Sequence, residues 1–261
     1  MHPVHEIPNN KLNELEIVTP ESMVQYHMRK KSNHEFILPD RCLFGFFPTL
    51  NSIVQQQYQA KNISIHREHP YAVFEHNNIP MSYIRSGIGA PWATALLEET
   101  IALGAKKIIL FGPCGIVQRD IARGELILID SAIRDEGTSY HYQKAGLCAF
   151  PSSELTDYID SGLKNRGLAY HKGKTWTTDG LYRETPSKLK MMQKQGCLCV
   201  DMEASALFSA AKYRNIDIAG ILITHDSIAN SMWNPKPTLG NSLPFQPVKL
   251  FNILVEIIAM I

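Results

Sequence analysis

The sequence predicts an α/β layer fold with a mixed sheet, carried by one domain, and three observations lead there. From roughly Cys42 onward, apolar runs alternate between strand-like and helix-like patterns, as they do when helices cover a sheet. The stretch YAVFEHNNIPMSYIRSG holds two alternating runs about His76, Asn77 and Asn78. It reads as a hairpin with a turn-forming Asn pair, so the strands are not all parallel. At 261 residues and 44% hydrophobic, the chain can bury one full core. The domain is taken as 1–261, with about the first 40 residues as an N-terminal arm or extension.

The elements follow in order. Pro91 opens WATALLEETIALG, whose apolar residues recur at helical spacing and which stops at Gly104, a glycine placed to end a helix. KKIILFG and ELILIDSAI are buried strands, joined by a loop that contains Gly112, Gly115 and Gly124. SSELTDYIDSGLKNRG starts with capping residues and reads as a surface helix. CLCVDM is a strand, EASALFSAAKYRN a helix, and IAGILIT a strand that ends at His225 and Asp226. Residues 229–247 are rich in Pro, Asn and Gly and too long for an ordinary connection, either a lid or an inert surface loop. The closing run LFNILVEIIAMI contains Glu256 and predicts a terminal amphipathic helix.

Composition narrows the function. Twenty-six basic and 25 acidic residues give a net charge of +1, with no basic tract of the kind that binds nucleic acid. The N-terminal MHPVHEIPNNKLNELEIV lacks the apolar core of a signal peptide, and the C-terminal apolar run is too short to span a bilayer. Five cysteines, Cys42, Cys114, Cys148, Cys197 and Cys199, show no metal-type spacing and point to a reducing cytoplasm. The expectation is a small neutral or anionic ligand, no metal and no cofactor, with neither a nucleic acid nor a membrane as partner.

Two strands deliver carboxylates at their carboxyl ends, the edge where open α/β sheets bind ligands. Glu203, in VDMEASALF, sits where a strand gives way to a helix, so it is either a capping residue or a site residue. Asp226 carries the same ambiguity. Together they suit a division in which one carboxylate stabilises positive charge and the other supplies a proton. GIGAP, from Gly87 to Pro91, joins a strand to a helix, so its N–H groups either face an anion or reflect tight packing.

These motifs resemble the nucleoside phosphorylase superfamily, which includes uridine phosphorylase, hexameric purine nucleoside phosphorylase and the methylthioadenosine nucleosidases. In order they are HRE (His66 to Glu68), SGIGAP (Ser86 to Pro91), LGAKKIILFGPCG, RDEGTSYHY (Arg134 to Tyr142), TTDGLY (Thr177 to Tyr182), VDMEASAL (Val200 to Leu207) and THDSI (Thr224 to Ile228). The resemblance implies a three-layer α/β/α sandwich on a mixed sheet, and cleavage of an N-glycosidic bond through an oxocarbenium-like sugar. It assigns Glu203 to the ribose hydroxyls and Met202 to the sugar face. Asp226 is assigned to N7 of the leaving base, which tilts the substrate toward a purine, because uridine phosphorylases carry no Asp there. A positioned acid contributes ~10² to 10⁴ in rate. Tyr182 flanks the base, and Leu181 stands where many members have Phe.

The resemblance also places phosphate, the possible co-substrate, against Gly45, Arg67, Gly112, Pro113 and Arg134. Arg67 would be contributed across a subunit interface, so a homodimer or higher homo-oligomer is expected, and His2 and His5 could reach a neighbour's sugar. Thr49 and Leu110 replace arginines and Pro113 a hydroxyl residue, which removes the bidentate contacts that usually hold a phosphate. Phosphorolysis, hydrolysis and nucleoside or nucleotide binding without turnover all remain open on these residues.

Overall fold

The run KIILFGPCGI forms a ten-residue strand around which everything else is ordered. In the computed structural model, residues 14–30, 36–64, 70–235 and 246–261 are described. Thus His2, His5, the HRE motif with Arg67, and residues 236–245 of the long loop lie outside the described residues. In chain order the elements are α1 (Pro20–Lys30), β1 (Arg41–Gly45), α2 (Leu50–Gln57), β2 (Lys61–Ile63), β3 (Tyr71–His76), β4 (Ile79–Arg85), α3 (Ala90–Ala102) and β5 (Lys107–Ile116). They continue with β6 (Leu126–Asp135), β7 (Cys148–Ala149), α4 (Ser153–Asn165), β8 (His171–Thr178), α5 (Pro186–Lys194), β9 (Cys197–Asp201), α6 (Ala204–Tyr213), β10 (Asp217–Ser227) and α7 (Pro247–Ile258).

The ten strands share one mixed sheet. On one side of β5 the order runs β1, β4, β3, β2, and β3 and β4 are the expected hairpin, with Asn77 and Asn78 at φ of 52° and 62°. That pair of left-handed residues is what a two-residue turn matched to strand twist requires. On the other side the sheet closes. β5 pairs β10, β10 pairs β6, β6 pairs β8, β8 pairs β9, and β9 returns to β5. Register irregularities at Thr224/Ser227, Ile129/Ser131 and Lys174/Thr175 accompany this closure, since bulges bend strands and sharpen their twist.

Helices cover both faces, as the three-layer expectation requires. One core gathers Val24 of α1, Leu96 and Leu97 of α3, and Leu207 and Phe208 of α6. The other gathers Leu50 and Val54 of α2, Leu155 and Ile159 of α4, and Phe251 and Leu254 of α7. The N-terminal extension is therefore partly structural, because α1 packs against α3 and buries Val24 in this core. Eight of the ten residues of α6 are buried, and truncating one such as Leu207 to Ala costs about 2–5 kcal/mol. No described helix is long and apolar enough to cross a membrane.

The structure corrects the reading of FGPCG as a loop. Gly112, Pro113 and Cys114 continue β5 opposite Leu222, Ile223 and Thr224, and Gly115 pairs Val200 of β9. A Cβ on Gly115 would lie 2.9 Å from the Val200 side chain, and one on Gly112 would lie 3.1 Å from the Phe46 ring. These glycines serve close approach within the sheet, a demand that looks like loop chemistry when only neighbours in sequence are visible. At α4 the helix forms as expected, but the hydroxyl of Ser152 accepts Ile218 N–H at 2.9 Å instead of capping.

Candidate active site

β9 ends at Asp201, and the two residues before α6 are Met202 and Glu203. Asp201 is buried and takes four hydrogen bonds. Its Oδ1 accepts the hydroxyls of Thr175 and Thr177, both at 2.9 Å. Its Oδ2 accepts the N–H groups of Glu203 at 2.8 Å and Ala204 at 2.6 Å. The two threonines lie on one face of β8 because alternate residues of a strand share a face. Asp201 therefore supplies the capping that otherwise would fall to Glu203, and α6 starts on it.

Glu203 is left to the cavity. Its carboxylate accepts the Gly89 N–H at 2.6 Å, so the amide of the SGIGAP turn meets the protein's own carboxylate. Gly89 has φ of 103° at the start of α3, a conformation that favours glycine. Burial, and then the Asp201 charge, push the Glu203 carboxyl up to about 8, against the lowering effect of the Gly89 and Met202 amides. Only 8% of the residue is exposed, which makes desolvation the dominant cause.

A cavity of about 300 Å³ joins Met202 and Glu203 to Leu181, Pro113 and Asp226. Asp226 reaches it from β10 because the register breaks between Thr224 and Ser227, and a bulge re-aims side chains. Its Oδ2 accepts the Trp233 indole N–H at 2.8 Å, and its Oδ1 lies 3.8 Å from His225 Nδ1. Trp233 is placed by the short bridge between Ser227 and Asn234.

Glu184, not singled out by the sequence, also lines this cavity. It follows the single turn Leu181–Arg183 and precedes Thr185, which caps α5 by accepting Lys188 N–H. Burial and the Asp226 charge push its carboxyl up to about 7, with Lys188 opposing. Cys114 lines the floor, but burial and the adjacent Cys199 thiol hold it far above the ordinary thiol range, which suits an inert structural cysteine.

The anion-binding expectations fare differently. Arg134 is corrected to a structural brace. Its Nε donates to Ser139 at 2.8 Å, and its terminal nitrogens donate to the carbonyls of Gln143, Lys144 and Gly146. The guanidinium also stacks 4.2 Å from the Tyr140 ring centre. Gly45 and Gly112 do not line the cavity, because the rings of Phe111 and Tyr83 fill the space beside Gly45 and that of Phe46 the space beside Gly112. Tyr182 is 94% exposed and outside the cavity wall. Thr49 starts α2. The cavity wall contains Phe46, Leu110, Pro113 and Cys114, and no Lys or Arg among the described residues. A further hollow of about 270 Å³ continues past Phe46, Pro113 and His225 to Phe47, Ile223 and Pro247. Among the described residues no group of three His, Cys, Asp or Glu is placed to hold a metal ion.

Comparison with known proteins agrees with this layout. The uridine phosphorylase of Thermococcus kodakarensis is 34% identical over 124 residues, spanning 48% of this chain and 45% of that protein. The guanosine phosphorylase of Halorubrum lacusprofundi is 24% identical over 164 residues, 63% of this chain and 68% of that one. The chain thus spans about half the length of the first of these relatives and two thirds of the second. Among solved structures, the purine nucleoside phosphorylase of Toxoplasma gondii with immucillin-H superposes with a TM-score of 0.76 at 22% identity, covering 85% of this chain and 91% of that one. The AMP nucleosidase of Bacteroides thetaiotaomicron gives 0.74 at 20% identity, over 93% and 97% of the two chains. These two likenesses speak to the fold. A family model described as the phosphorylase superfamily matches residues 42–239, and with that match the chain belongs to the phosphorylase superfamily.

Proposed function

We propose that the protein cleaves the N-glycosidic bond of a purine nucleoside, with phosphate as co-substrate. The observation that carries this reading is the placement of Glu203 and Asp226 on one cavity with Met202 between strand and helix. Ionised Glu203 accepts hydrogen bonds from ribose hydroxyls and stabilises the positive charge that develops at the sugar, an interaction strongest in the transition state. Asp226 donates to N7 as the bond from C1′ to N9 breaks and the base leaves with the electron pair. A phosphate oxygen then bonds to C1′. The expected assembly is a homo-oligomer that lends Arg67 from a neighbour to the anion.

Hydrolysis is the second reading, favoured by the neutral wall of Phe46, Leu110, Pro113 and Cys114 and by the engagement of Arg134 elsewhere. There, water bonds to C1′ in place of phosphate. Incubation with a purine and pyrimidine nucleoside panel, with and without phosphate, separates the readings. Ribose 1-phosphate with free purine supports phosphorolysis, free ribose without phosphate dependence supports hydrolysis, and no base release under either condition overturns both.

A further inference from the structure

We propose that Glu184 reads the substituent at C6 of the bound purine and selects 6-aminopurine over 6-oxopurine nucleosides. The inference rests on the purine reading of the cavity and adds the far edge of the base to it.

Glu184 and Asp226 line the same cavity from different elements, the turn before α5 and the bulged end of β10. Among the described residues, no hydrogen bond holds the Glu184 carboxylate, and the cation that influences it, Lys188, has its ammonium on Asp135. A half-buried carboxylate without a donor is satisfied by whatever enters the cavity. Glu184 responds to the charge of Asp226, whereas Glu203 responds to Asp201 and Asp179. This groups Glu184 with the base end and not with the sugar end.

The purine edge beyond the sugar presents N7, an acceptor, followed by the C6 substituent. That substituent is a donor when it is an amine and an acceptor when it is an oxygen. With Asp226 donating to N7, as the proposed cleavage requires, and Glu184 ionised, the two carboxyls present a donor followed by an acceptor. They match N7 and a 6-amino group, and set lone pairs against a 6-oxo group. Since the Glu184 carboxyl is pushed up to about 7, the preference strengthens as pH rises through neutrality and Glu184 ionises. The charged and titratable groups that share its cavity are Asp226 and His225 from β10, Asp201 at the end of β9, Glu203 before α6 and Cys114 of β5, and Lys188 of α5 acts on it from beside the cavity.

The test compares kcat/KM for adenosine and inosine, between pH 6 and 8.5, in the wild type and in Glu184→Gln, whose amide can face either substituent. The proposal expects adenosine to be favoured by about 10-fold or more at pH 8, a ratio that rises with pH and falls to within about threefold of unity in Glu184→Gln. A ratio that Glu184→Gln leaves unchanged, or a wild type that favours inosine, overturns it. If the wild type cleaves neither nucleoside, the cleavage reading fails, and calorimetric titration with free adenine and hypoxanthine decides Glu184 separately. Tighter binding of adenine that disappears in Glu184→Gln supports the proposal. Equal binding of the two bases overturns it, and binding of neither overturns both readings.

Discussion

Asp201 Oδ2 accepts the backbone N–H of Glu203 at 2.8 Å, so one carboxylate of VDMEASALF fixes the position from which the other faces the cavity. The first is a structural acceptor of four hydrogen bonds, and the second accepts the Gly89 N–H at the edge of the cavity. Asp201→Ala strips the start of α6 of its cap and removes the carboxylate that accepts from the Thr175 and Thr177 hydroxyls. A loss of about 3–5 kcal/mol in unfolding free energy is expected, measured by urea unfolding. A loss under about 1 kcal/mol would assign the capping elsewhere.

Glu203 gives the protein a pH dependence of known sign. Burial and the Asp201 charge push its folded carboxyl up to about 8 from an ordinary value of about 4.5. The stability of the empty protein is therefore favoured while Glu203 is protonated, whole below about 4.5, and lost as pH rises through about 8. Glu203→Gln should raise the melting temperature at pH 9 and leave it nearly unchanged at pH 5. Catalysis needs the ionised form, so wild-type kcat/KM should climb between about pH 6.5 and 8.

Arg134 sits in the RDEGTSYHY stretch, yet every nitrogen of its guanidinium is engaged by Ser139 or by carbonyls of residues 143–146. Arg134→Met orphans those acceptors and should destabilise the protein by about 2–4 kcal/mol. In the folded fraction, KM for phosphate should stay within about twofold of wild type. A selective rise of tenfold or more in that KM would restore Arg134 to the anion site.

Trp233 is 67% exposed but bonded through its indole to Asp226. A base that claims Asp226 must displace or cover this ring, so saturating purine nucleoside should change the tryptophan emission. Trp233→Phe should abolish most of that change, since neither of the other two tryptophans, Trp92 and the buried Trp176, lines the cavity. An unchanged response in Trp233→Phe would place the reporter elsewhere.

Much of this was legible from local chemistry. The Asn77–Asn78 turn, the glycine after α3 and the carboxylates at the ends of β9 and β10 are written in neighbouring residues, where backbone demands and strand ends show directly. What long-range packing decides was hidden. FGPCG looks like a loop because nothing nearby reveals that Phe46 and Val200 need glycine beside them. Arg134 fits a motif, but the carbonyls that take its donors are set by the course of residues 143–146. Glu184 stands in a polar stretch, LYRETPSK, and enters the cavity only because the cap of α5 at Thr185 turns the chain there.

The central claim is that Glu203 stabilises the sugar during cleavage of a purine nucleoside. Release of free base by the wild type and by Glu203→Gln, measured as kcat/KM at pH 8 with the melting temperature of each, tests it most directly. A loss of about 10²–10³ in kcat/KM, with the fold retained, is the predicted result. Turnover by a folded Glu203→Gln variant at the wild-type rate would contradict it.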